Sequence, residues 1–197
     1  MGLTKQAKVL TGAQADALLA YLSGTRNPQR NRLMFLLSLR AGLRAKEIAC
    51  LTWGMVTTAD GSIAREIALH NAASKGRSGR VIPMSKDLRV AFEQWRSLHL
   101  LASAPHWVIT TERSDRTSSQ AIVNAFKCWY AALGFKGCSS HSGRRTFITN
   151  AARKISLAGG SLRDVQALAG HSALSTTQRY IEINSDAKRK IVELIGV

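Results

Sequence analysis

Between Pro28 and Ala41 the chain places Leu33, Phe35, Leu36, Leu37 and Leu39 in one helical stretch, closed by Gly42. The apolar residues are dense enough to place such a helix at the centre of the core. Directly after the stretch comes AGLRAKEI, which sets Arg44 at a helix-to-helix junction ahead of a short helix carrying Glu47, Ile48 and Leu51. A side chain at such a junction can point into a cleft.

The covering elements are readable on either side. Thr11 caps a helix with Leu18, Leu19 and Leu22 on one face, stopped by the polar break at Gly24 to Pro28. Ser85 caps a helix over 86–101 whose stripe is Leu88, Phe92, Trp95 and Leu98 or Leu101. Ser118 starts another, with Ile122, Val123, Phe126, Trp129, Tyr130 and Leu133 inside and Gln120, Asn124 and Lys127 on the polar face. Ser140, Ser161 and Ser175 read as caps of shorter helices, and a last helix spans Asp186 to Ile195. Trp53–Val56, Ile63–Leu69 and Arg80–Met84 read as strands, with Asp60 and Gly61 in the first turn and the cationic loop HNAASKGRSGR in the second. The expected class is α+β, mainly α-helical, with a small three-stranded antiparallel sheet. No internal repeat, low-complexity tract or linker divides the 197 residues. A flexible segment 1–10 and one domain over 11–197 are expected.

Charge narrows the partners. Lys and Arg number 28 against 12 Asp and Glu, a net +16 with a pI near 10.8, which favours a polyanion and nucleic acid first. A merely basic enzyme remains the other reading. At 45% hydrophobic the chain is a folded protein and not a basic tail. Cys50, Cys128 and Cys138 are odd in number and form no CxxC pair, which speaks against a disulfide framework or zinc site and fits a reducing cytoplasm. No secretory leader pattern and no membrane-length apolar run occurs.

The chemistry concentrates between Ser140 and Tyr180. SHSGRRTF and LAGHSALSTTQRY bring His141, Arg144, Arg145, His171 and Tyr180 into one stretch. Imidazoles move protons near neutral pH, guanidiniums clamp phosphate oxygens and a phenol can be a nucleophile, so the set points to chemistry on a phosphate ester. Alone, LRDVQALAGHSALSTTQRYIEI also fits a helix-turn-helix, similar to the DNA-reading unit of lac-repressor-type regulators. Each residue has an ordinary explanation too: surface arginines, a capping histidine, a solvated loop lysine, a tyrosine at a core edge. Such a reading head needs none of Arg44, Lys75 in SKGRSGRVIPM, His141 or Arg144.

As a set these residues resemble the catalytic domain of the tyrosine recombinases, the phage-integrase family, from about Thr11 to Ile195. AGLRAKEI matches the first arginine box, with Glu47 as its acidic companion. His141 and Arg144 match HxxR, Lys75 matches the hairpin lysine, and His171 lies nine residues before Tyr180 as the last motif asks. The resemblance implies a recombinase-like bundle that cleaves and rejoins DNA strands through a 3′-phosphotyrosyl intermediate. Tyr180 would attack, Arg44, Arg144 and His171 would stabilise the charged phosphorane-like oxygens, His141 would serve as base and Lys75 as acid to the 5′ oxygen. The bond energy stays in the tyrosyl ester, so neither ATP nor a metal is implied. Four protomers on two DNA sites are implied, with the helix DAKRKIVELI docking on a neighbour, and monomer or dimer when free. Arg77, Gln120, Asn124, Lys127 and Arg145 are candidates for DNA contacts.

Two departures stand out. Gly143 and Arg145 replace the leucine and second histidine of the common HxLRH, which predicts weaker packing at that helix start and an added charge. Only about forty residues precede Arg44, where family members usually carry a separate DNA-binding domain; a single catalytic domain without it is expected. A DNA-binding accessory or regulator that keeps the pocket without catalysis is the other function class, and a topoisomerase of the same chemistry a third.

Overall fold

The structure, a computed structural model, describes residues 6–74, 79–98, 106–180 and 192. Helix α2 (Pro28–Arg40) buries every residue from Leu33 to Leu39. It is the axis of the body: α1 (Gly12–Ser23), α3 (Ala45–Ala49), α4 (Lys86–Ser97) and α6 (Ser142–Lys154) all pack on it. Helix α5 (Ser119–Ala132) closes the far side against α1 and α3, inserting Ile122, Phe126, Trp129 and Tyr130 into the main core. Helices α7 (Leu162–Ala169) and α8 (Leu174–Gln178) follow α6. A smaller cluster of Ile148, Val165 and Ala169 forms between α6 and α7, with Tyr180 packed at its edge.

Local chemistry sets the helix starts. Thr11 Oγ1 accepts from Gln14 N at 3.2 Å while Gln14 Oε1 accepts from Thr11 N at 3.0 Å, a reciprocal cap. Ser118 Oγ accepts from Ala121 N at 3.1 Å, and Ser161 pairs reciprocally with Asp164. Ser140 and Ser175 do not cap. Ser140 is buried, α6 begins with His141 at its cap position, and α8 already starts at Leu174. The α4 stripe stops at Trp95, whose indole N–H donates to Val108 O at 2.7 Å, and Leu98 is 59% exposed. Leu101 and, apart from Val192, the expected helix Asp186 to Ile195 lie outside the described residues.

Among the described residues the sheet has two strands, not three. β1 (Glu66–Leu69) runs antiparallel to β2 (Arg80–Pro83), with Glu66 opposite Pro83 and Leu69 opposite Arg80. Ile67, Leu69 and Ile82 point inward. The expected strand at Trp53–Val56 is a 3-10 turn, Trp53–Met55, because Val56 N returns to Trp53 O at 2.9 Å and Thr57 Oγ1 donates to the same carbonyl at 2.9 Å. Isolated bridges flank it, Thr52 to Trp107 before and Thr57 to Ile63 after. The turn at Asp60 and Gly61 forms as expected, Asp60 Oδ1 accepting from Ser62 N at 3.0 Å. No helix among the described residues is long and apolar enough to cross a membrane.

Candidate active site

The site is built on a carboxylate with no exposed side-chain surface. Glu47, in the first turn of α3, accepts from Arg44 N at 2.9 Å and from Arg44 NH1 at 2.7 Å. Its two oxygens also accept a fork from Arg80, NH1 and NH2 both at 3.1 Å. Burial pushes this carboxyl up, but the hydrogen bond and charge of Arg80 and those of Arg44 outweigh it and hold it below the usual range. Glu47 is therefore a fixed anion that orients two arginines.

Arg144 is 3% exposed, on the first turn of α6. Its guanidinium donates to Gly42 O, beyond the end of α2, and to Ala169 O, at the end of α7, at 2.6 Å. Burial, then the charge of Arg44, bring it down to about 10, which leaves it charged at neutral pH. Arg144 NH2 also lies 3.1 Å from His171 Nε2. An arginine N–H can only donate, so Nε2 accepts, and Nδ1–H donates to Thr177 Oγ1 at 3.0 Å. His171 is thus neutral here; donation to an oxyanion requires an added proton or the other tautomer.

Burial, Arg144, Arg44 and Arg80 together lower the His171 pKa to about 4. Between its ordinary value near 6.5 and about 4 the unfolded chain binds a proton that the folded site refuses, so this contribution is complete above the upper limit and fades as pH falls. The melting temperature should fall more steeply through that window in the wild type than in His171→Gln, as followed by circular dichroism. Equal slopes would show that His171 is not the responsible group.

Tyr180 is half-buried, its ring stacked on His171 at 5.6 Å between centroids with 23° between planes. The Arg145 guanidinium lies 5.8 Å from the Tyr180 ring centroid and donates through NH1 to Gln6 Oε1. Tyr180 faces a cavity of about 490 Å³, shared with Arg44, His141, Arg144, Arg145, His171 and Arg179. None of its described lining residues is acidic, so its field favours an anion. His141 is exposed at the rim, its backbone N–H donating to Ser139 Oγ at 3.3 Å. Among the described residues no three His, Cys, Asp or Glu side chains gather as metal ligands would.

Profile comparison matches the model for the phage integrase family to residues 8–186. The chain belongs to the phage integrase family. Within it, the chain is 29% identical over 179 residues to tyrosine recombinase XerC of Haemophilus influenzae strain PittEE, covering 90% of this chain and 57% of that protein. It is 31% identical over 193 residues to tyrosine recombinase XerD of Pseudomonas putida, covering 95% and 60% respectively. The chain thus spans about three fifths of the curated relatives it matches. The fold is shared with the Tn1549 transposon integrase bound to a circular intermediate DNA, at a TM-score of 0.77 and 19% identity over 98% of this chain and 67% of that one. It is shared also with XerA recombinase, at 0.73 and 20% over 98% and 65%.

Arg44, His141, Arg144, His171 and Tyr180, singled out from the sequence, thus meet at one cavity, with Glu47 behind it. Lys75 and Arg77 lie outside the described residues. Gln120, Asn124 and Lys127 sit on the exposed face of α5, away from the cavity lining, with Gln120 Nε2 donating to Asn124 Oδ1 at 2.9 Å. The sequence reading missed Arg80 and Thr177. The signal for Arg80 was parity, since residues 80 and 82 of one strand share a face and Ile82 points inward.

Gly143 also takes on a physical meaning. A Cβ there would stand 2.5 Å from Ser38 Oγ and 3.0 Å from Ser38 Cβ, so this position is where α6 closes on α2. The predicted loose packing is in fact a close approach between two small residues. Gly143→Leu should destabilise the domain by about 1–3 kcal/mol or more through overpacking. Chemical denaturation would measure it, and Ser38→Gly in the same chain should recover part of the loss.

Proposed function

We propose that this chain is the catalytic part of a site-specific DNA recombinase that breaks and rejoins strands through a tyrosyl ester. The observation that carries the reading is the convergence of Tyr180, Arg44, Arg144 and His171 on one cavity without an acidic lining residue. The Tyr180 oxygen attacks the scissile phosphorus, the bond to the 5′ oxygen breaks, and a 3′-phosphotyrosine and a 5′ hydroxyl result. Arg44 and Arg144 meet the charge that develops on the non-bridging oxygens. Arg144 is suited to this by its charge and by its anchorage on two backbone carbonyls, which leaves little to reorganise. His141 at the rim is the candidate to take the phenol proton, and Lys75 the candidate to protonate the leaving oxygen. A 5′ hydroxyl from a partner strand then reverses the step.

Double-stranded DNA is the proposed partner, supported by the net charge of +16 and by the DNA-bound state of the Tn1549 integrase neighbour. Arg77, Arg145, Gln120, Asn124 and Lys127 are proposed DNA contacts. Four protomers on two DNA sites, with residues 186–195 docking on a neighbour, is the proposed assembly. Neither ATP nor metal is required by this sequence of steps, because the tyrosyl ester conserves the phosphodiester energy.

The test is a nicked suicide duplex, from which the short 5′-hydroxyl fragment diffuses away and leaves protein attached. A covalent adduct mapped to Tyr180, with the trapped DNA sequenced, supports the proposal and identifies the site. Salt-sensitive binding with no adduct on any candidate site would instead identify a DNA-binding accessory protein.

A further inference from the structure

We propose that Arg80 is a positioning residue that keeps Arg44 turned into the cavity by occupying the other side of Glu47. The proposal rests on the recombinase reading for its catalytic consequence, but its geometry stands apart from it. The Arg80 side chain is 6% exposed and is absent from the cavity lining that holds Tyr180. All three of its guanidinium nitrogens are engaged: NH1 and NH2 on the two Glu47 oxygens at 3.1 Å each, and Nε on Leu168 O at 2.9 Å. Two elements far apart in sequence, α3 and the end of α7, are thereby fastened to β2.

The consequence for Arg44 follows from the geometry at Glu47. A carboxylate alone with one arginine favours a side-on fork that uses two guanidinium nitrogens. Here Arg80 holds that forked position, and Arg44 touches the carboxylate through NH1 only, at 2.7 Å, besides its backbone N–H. Nε and NH2 of Arg44 make no hydrogen bond among the described residues, and Arg44 lines the cavity. Removal of Arg80 would vacate the forked position on Glu47, and Arg44 would close onto it and leave the cavity. A second effect acts on the other wall. The Arg80 guanidinium lies where a Cβ on Gly170 would fall, 2.8 Å from NH1, and Gly170 has φ +62°. Arg80 and a glycine that accepts a left-handed backbone therefore fix the turn that delivers His171.

The distinguishing experiment compares wild type, Arg80→Lys, Arg80→Gln and the double variant Arg80→Gln/Glu47→Gln. On a suicide duplex at saturating protein, Arg80→Gln should cleave about 10²-fold more slowly, as misplacement of a transition-state contact does. Its DNA dissociation constant should change by less than about threefold, because Arg80 does not reach the cavity. Arg80→Lys keeps charge without the fork and should fall between the two. The double variant removes the carboxylate that captures Arg44, and should recover about tenfold of the lost rate. A double variant no faster than Arg80→Gln, or a parallel loss of binding and cleavage, would overturn the assignment in favour of general stability.

A second readout needs no cleavage. Inorganic phosphate should perturb the Arg44 Nε–H resonance in wild-type protein and leave it unmoved in Arg80→Gln. An identical phosphate response in both proteins overturns the role of Arg80 whatever the chemistry. If wild type shows the response but never attaches to DNA, the recombinase reading fails and the positioning role stands.

Discussion

Tyr180→Phe is expected to eliminate covalent attachment to DNA and to leave DNA binding within about threefold of wild type. The substitution removes one oxygen and nothing else. The ring stacked 5.6 Å from His171, and 5.8 Å from the Arg145 guanidinium, is kept, so the edge of the cluster formed by Ile148, Val165 and Ala169 stays filled. The stability cost should be correspondingly small. The kinetic cost is that of deleting a nucleophile, on the order of 10⁴-fold or more. Denaturing electrophoresis of a suicide-substrate reaction reads attachment, and fluorescence anisotropy reads binding. Attachment that persists in the phenylalanine variant would move the nucleophile elsewhere and overturn the proposed mechanism. Loss of binding in step with attachment would show that the hydroxyl holds the DNA and does not attack it.

The parts of this molecule that sequence exposes are those whose physics is local. The burial of α2 follows from its composition alone, and the reciprocal caps at Thr11 and Ser161 follow from side chains three residues apart. The approach of Arg44, Arg144, His171 and Tyr180 was legible only as a resemblance, because no periodicity says that a helix junction, a helix start and a turn meet. Features decided by tertiary partners were not legible. Trp53 to Val56 has the apolar content of a strand, yet a carbonyl that accepts two hydrogen bonds curls it. Gly143 looked like a loss of packing until Ser38 was seen opposite. The neutral tautomer of His171 was not legible, because Arg144 and Thr177 set it from other parts of the fold. Arg80 was legible only as the first residue of a strand, because its value lies in reaching Glu47 and Leu168 across the fold.

Arg144 offers the second large effect, and it separates two jobs done by one side chain. Its guanidinium satisfies Gly42 O and Ala169 O and holds His171 at 3.1 Å, so Arg144→Ala leaves two carbonyls at helix ends without their donor. Each buried carbonyl left unsatisfied costs about 1–3 kcal/mol, and the domain should melt well below wild type. Activity of that variant therefore says little about chemistry. Arg144→Lys is the informative change, because an ammonium retains the charge and can satisfy one carbonyl but cannot hold two carbonyls and an imidazole in one plane. It should lose much less stability than alanine while cleavage falls about 10²–10³-fold, the usual cost of one preorganised donor to a developing oxyanion. Single-turnover cleavage at saturating DNA, paired with thermal melts, makes the comparison. A lysine variant that cleaves at the wild-type rate would mean that the cavity needs only a positive charge here. The anchorage of Arg144 between the ends of α2 and α7 would then serve the fold and not the transition state.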